Sequence, residues 1–167
     1  KPLLMTCSNK TLEASGVMIE GEMSAMMGVP GIDPLSESSE IAKVAEFSKR
    51  YNVTTIINDL FSKEGVARFE REQKEDIPLF ATASLQHLLF NDQACQDFNV
   101  AAKVYPPLGS KADQEALLSA LESGLLSALT SSDNLQSYMS KDQPFAEASY
   151  GVAIAEYLFT FAYHYFV

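Results

Sequence analysis

Basic residues are few and scattered: 12 Lys and Arg stand against 22 Asp and Glu in 167 residues, a formal net charge of −10. Binding to phosphate needs clustered cations that displace counterions, so nucleic acid and anionic membrane surfaces are excluded as partners. Cysteine is almost absent, with Cys7 and Cys95 alone. Two thiols make no disulfide framework, and with no secretory segment at the start they are expected to be buried thiols in a reducing cytoplasm. Long apolar runs are missing as well. The most apolar stretch, residues 151–167, carries Glu156 and His164 and stops short of the ~20 apolar residues that cross a bilayer; a buried helix is expected there. What is present is the 47% hydrophobic content of a globular protein, at the length of one modest domain.

Short β-type runs alternate with helical segments, the signature of parallel βα units. Strands are expected over residues 2–7, 53–58, 77–83 and 125–130, the last as a continuous buried run. After the first strand comes a long Gly-, Pro- and Met-rich loop. Helices are expected over residues 36–51, where Ile41, Val44, Ala45 and Phe47 keep helical spacing, over 63–74, where Val66 and Phe69 do, and over 112–122, stopped by Gly124. A helical turn is expected over residues 85–90.

Four tracts carry a family likeness in the right order. They are Lys1-Pro2-Leu3-Leu4-Met5-Thr6-Cys7; Ser15-Gly16-Val17-Met18-Ile19-Glu20-Gly21, running on to Gly28-Val29-Pro30-Gly31-Ile32; Lys103-Val104-Tyr105-Pro106-Pro107-Leu108; and Pro144-Phe145-Ala146-Glu147-Ala148. Together they resemble the dihydroorotases, TIM-barrel members of the amidohydrolase superfamily, over nearly the whole chain. The resemblance implies an α/β fold of about four βα units, forming the C-terminal half of a TIM-type (β/α)8 barrel. Half a barrel bares both sheet edges, so residues 1–167 are expected to be a partial domain of a longer chain.

The family's chemistry uses a binuclear zinc centre at the C-terminal strand ends, and this half of the barrel would supply two His and one Asp. Here those positions read Thr6, Asp59 and Ser132. Neutral hydroxyls neither suit zinc nor offset its charge. The family's substrate-contacting Asn, Arg and His read Tyr105, Gly109 and Gln136. The resemblance therefore implies a catalytically degenerate dihydroorotase-like scaffold without a cofactor, acting in pyrimidine biosynthesis and associated, by family analogy, with aspartate carbamoyltransferase; a homo-oligomer is left open. The alternative is an active zinc-dependent dihydroorotase whose altered site is completed by the N-terminal half. A third reading, a small-molecule sensor using the vacated pocket, has no residue in its favour.

The remaining candidates have ordinary readings beside the functional ones. Asp59 and Asp133 would make a rearranged carboxylate site, though capping is the commoner use of Asp. His87 matches the second His of the family's Pro-His-His-Leu-Leu run and reads as a packed structural histidine, while His164 on an aromatic helix reads as core or interface. Cys7 has no neighbouring base and no case as a nucleophile. Met18, Met23, Met26 and Met27 suit a protein contact surface or, more simply, a loop packed on its own barrel.

Overall fold

The computed structural model describes residues 1–166. Each apolar run forms a short strand, and each amphipathic stretch a helix that covers it. Strands β1 (Leu3–Met5), β4 (Thr55–Ile57), β5 (Leu79–Ser84) and β6 (Ala128–Thr130) form one sheet in the order β1-β4-β5-β6, parallel throughout. Helices α3 (Leu35–Tyr51), α4 (Lys63–Gln73) and α6 (Lys111–Glu122) bury Ile41, Val44, Ala45, Val66, Phe69, Leu117 and Ala120 against Ile57, Leu79, Ala81 and Ala83. The opposite face is open. Register aligns Leu4 with Ile56 and Ile56 with Phe80, and of this cross-strand row Leu4 is 62% and Phe80 44% exposed. Such a layer of inward-pointing side chains is how a barrel interior is filled.

The long loop expected after β1 proves to be structured. It holds α1 (Lys10–Glu13), β2 (Met18–Ile19), α2 (Glu22–Met27) and β3 (Gly31–Ile32), with β2 and β3 paired in parallel as a separate two-stranded sheet. Elements of two to six residues carry too little periodicity to be legible in a sequence. Met18 and Met23 pack with Cys95 and Phe145 in a second small core, with Met27 partly against it. The simpler reading of the methionines therefore holds for three of the four, and Met26 is exposed.

Downstream come α5 (Leu85–Leu89), two 3-10 segments (Asp92–Phe98 and Val100–Ala102), α7 (Tyr138–Lys141), a 3-10 turn (Ala155–Tyr157) and α8 (Leu158–Phe166). Two expectations are corrected. The fourth strand is three residues at the sheet edge and half exposed, because only β5 flanks it. The final helix is not buried: residues 152–154 run without helix, α8 is nine residues long, and none of them is buried. It leans on the main core through Phe166 while Phe159 is 79% exposed. Among the described residues no helix is long and apolar enough to cross a membrane.

Candidate functional site

Parallel strands send all their C-terminal ends to one side of the sheet, which is where a barrel places its chemistry. Thr6 follows β1 and is exposed, Asp59 lies two residues beyond β4, and Ser132 two residues beyond β6. Asp59 is 2% exposed, and the donors that reach its carboxylate are neutral. Its Oδ1 accepts from the Thr130 hydroxyl in a short contact and from Thr82 Oγ1 at 3.5 Å, and its Oδ2 accepts from Asn58 Nδ2 at 2.9 Å. Its own backbone N–H donates to Thr82 Oγ1 at 3.0 Å. Asp59 and Ser132 both sit in the left-handed region, at φ 58° and 44°, which Asp tolerates better than Ser.

A second cluster gathers around Tyr105. Its hydroxyl donates to Glu13 Oε1 at 2.8 Å, receives from Lys10 Nζ at 2.5 Å and lies 2.9 Å from Ser8 Oγ. Lys10 also bonds Glu13 Oε2 at 2.7 Å, and Ser8 makes a short contact to Oε1. Burial alone would raise the Glu13 carboxyl, but the hydrogen bonds from Lys10, Ser8 and Tyr105 outweigh it and hold the group below its usual value. Tyr105 thus joins the turn after β1 to the Pro-Pro loop, and its ring packs edge-on against Tyr150 at 5.6 Å. Gly109 is buried, and a Cβ there would stand 2.7 Å from the Asp113 Cβ. Asp113 is fixed in turn by Ser110 N and Oγ and by Lys63 N at 2.6–2.8 Å, so no larger side chain fits at 109. Gln136 lies apart, bonding Asn134 and Ser140.

The other candidates separate cleanly. Asp133 is exposed, and its Oδ1 caps the 3-10 turn by accepting from Ile154 N and Ala155 N at 2.6 and 2.9 Å. It does not join Asp59, and the rearranged carboxylate site is not formed. His87 is buried, with Nδ1 2.5 Å from Ser84 Oγ and Nε2 3.0 Å from the Pro106 carbonyl. A carbonyl accepts only, so Nε2 carries the proton; burial pushes the imidazole below its ordinary value. It is the packed structural histidine that the sequence suggests. His164 is exposed on α8 and therefore lies outside the core. Both cysteines are free and buried, and burial first, then nearby carboxylates, push Cys7 up to about 12 and Cys95 up to about 11. Thiols held protonated in this way make weak nucleophiles.

Zinc does not fit this end of the sheet. Thr6 and Ser132 offer neutral hydroxyls, and among the described residues no group of three His, Cys, Asp or Glu side chains could hold a metal ion.

No protein-family model matches the chain. Among curated proteins it is similar to the dihydroorotase of Staphylococcus epidermidis, 30% identical over 169 aligned residues that cover 100% of this chain and 39% of that protein. It is also similar to the dihydroorotase of Caldanaerobacter subterraneus, 27% identical over 95% of this chain and 37% of the relative. This chain is dihydroorotase-like. It matches the C-terminal portion and spans less than two fifths of the length of these two curated dihydroorotases. Among solved structures, the D-hydantoinase (dihydropyrimidinase) of a Thermus species superposes with a TM-score of 0.83 at 16% identity, over 99% of this chain and 38% of that one. The dihydroorotase of Saccharomyces cerevisiae does so with a TM-score of 0.74 at 15% identity, over 98% and 43%. These likenesses carry the fold alone: part of a TIM-type barrel.

The dihydroorotase-like tracts that keep their sequence do mechanical work. Lys103 is buried; its Nζ donates to the Phe145 and Ala146 carbonyls at 2.6 and 3.1 Å and lies 4.5 Å from the centre of the Tyr150 ring. Lys141 Nζ donates to the Val100 and Lys103 carbonyls at 2.8 and 2.9 Å, and Gly151 N donates to Lys103 O at 2.9 Å. Burial, then repulsion from Lys141, lowers the Lys103 ammonium from its usual value. The Lys-Val-x-Pro-Pro tract and the Pro-Phe-Ala-Glu tract are thus tied to each other. Sequence reading missed this clamp, as it missed Thr82, Thr130, Ser8, Lys10 and Glu13; only the Lys10/Glu13 spacing of three was a visible signal.

Proposed function

We propose that the chain belongs to a non-catalytic dihydroorotase-like scaffold subunit of pyrimidine biosynthesis, associated with aspartate carbamoyltransferase. One observation carries the reading: two of the positions where a dihydroorotase would hold ligands and substrate are engaged by the protein's own contacts. Asp59 accepts from Asn58, Thr82 and Thr130, and Tyr105 is bonded to Glu13, Lys10 and Ser8. The Lys103 clamp supports it further, since retained sequence is accounted for by structure alone. The partner rests on family analogy.

A second reading, an active zinc-dependent hydrolase with an altered site completed by further chain, draws on Asp59 itself. A carboxylate 2% exposed whose partners are all neutral would welcome a cation. Metal analysis of the purified protein, with an assay of carbamoyl-aspartate and dihydroorotate interconversion, separates the two. Absence of zinc and turnover, with co-elution alongside aspartate carbamoyltransferase, is expected. Stoichiometric zinc with turnover would overturn the scaffold reading.

A further inference from the structure

Beside the strand ends lies an apolar groove of about 270 Å³, lined by Phe90, Val104, Leu108, Val152 and Ile154 together with three alanines. None of the six altered family positions lines it. Its wall holds two polar side chains, and they differ. Asn99 is satisfied, its Nδ2 donating to Ala94 O at 2.9 Å and its Oδ1 accepting from Ala101 N at 3.2 Å. Gln86 is not. It is 3% exposed, its Nε2 reaches Ser132 O at a long 3.4 Å, and its Oε1 has no partner.

A buried acceptor without a donor is uncommon in a folded protein and calls for an explanation. The terminal torsion of a Gln amide is soft, and the long Ser132 contact restrains it little; Oε1 itself is enclosed, and a turn of the amide would bring it to the groove. The wall carries no charged side chain, so an ion entering it would lose its hydration without compensation. The space admits about one ring and is lined as small-molecule sites are, by apolar groups around one placed polar atom.

We propose that this groove binds a neutral, ring-sized apolar molecule carrying one hydroxyl, a simple phenol in chemical class, whose O–H donates to Gln86 Oε1. The site is independent of whether the strand ends are catalytic.

The test uses p-cresol and its donor-free isostere p-xylene, titrated into the purified chain and followed by amide chemical shifts. Saturable binding of p-cresol is expected, roughly threefold to tenfold tighter than p-xylene, the value of one hydrogen bond. In Gln86→Leu the preference vanishes while p-xylene still binds. Ala101→Phe, at an exposed position on the rim, abolishes binding of both without disturbing the fold. No saturable binding, equal affinities in the unaltered chain, or a preference that survives Gln86→Leu would each overturn the proposal. Thermal unfolding of both variants separates lost binding from lost structure.

Discussion

Two residues show how burial and hydrogen bonding contend in this chain. The Tyr105 hydroxyl stands among Glu13, Lys10 and Ser8 at 2.5–2.9 Å, yet Lys10 is largely in solvent and Glu13 keeps other donors without it. Tyr105→Phe should therefore cost about 1 kcal/mol of stability, the worth of one such bond. A urea midpoint indistinguishable from the unaltered chain would mean that the cluster is screened by water. Glu37 is the opposite case. Fully enclosed, it accepts from Phe61 N and Ser62 N at 3.0 Å and from Ser62 Oγ at 2.5 Å, yet burial, with Asp113 nearby, pushes its carboxyl up to about 8. A carboxyl raised on folding contributes stability that is full below its unfolded value of 4.5 and is lost as pH climbs through about 8. Denaturation midpoints should thus fall between pH 5 and pH 8, and fall less in Glu37→Gln, which has no proton to lose. Parallel curves for the two proteins would show that the backbone donors, rather than burial, govern Glu37.

Elements long enough to carry a period were legible, and short ones were not. The helices α3, α4 and α6 start and stop within one or two residues of expectation, because Ser62 and Ser110 supply N-caps and the apolar spacing runs through three turns or more. The parallel pairing of the strands followed from the alternation of strand and helix. By contrast α1, β2, α2 and β3 gave no pattern, and α8 gave a misleading one, since an apolar sequence reports a wish for burial and not the presence of something to bury against. The site was legible one residue at a time, as exchanges at Thr6, Asp59, Tyr105, Gly109, Ser132 and Gln136. Its filling was hidden, because Lys10 and Tyr105 meet across 95 positions. The same distance effect hid the Lys103 clamp, which joins segments 42 and 43 positions apart. Lys103→Met keeps the apolar stem but orphans two carbonyls, so it should cost about 2–3 kcal/mol. Amide exchange should speed up at Gly151 more than in α4. Equal protection at both would mean that the tract is held by packing alone.

At the scale of the whole molecule, what the chain leaves uncovered matters as much as what it buries. β1 ends the sheet on one side with Leu3, Leu4 and Met5 all exposed, beside the stacked rings of Phe47 and Tyr51. β6 ends it on the other, beside the aromatic face of α8. An edge strand offers unpaired N–H and C=O groups, and an apolar one invites pairing with another chain. The 167-residue chain alone should therefore self-associate as its concentration rises, despite a net charge of −10 that opposes contact. Leu4→Lys places a charge on the open face of β1, where it meets no packed neighbour on the helix side, so it should raise the concentration at which light scattering appears while leaving the thermal midpoint within a few degrees. If scattering is unchanged by Leu4→Lys but suppressed by Phe159→Lys, association runs through α8 and the β6 edge instead, and the β1 strand is protected by its shortness alone.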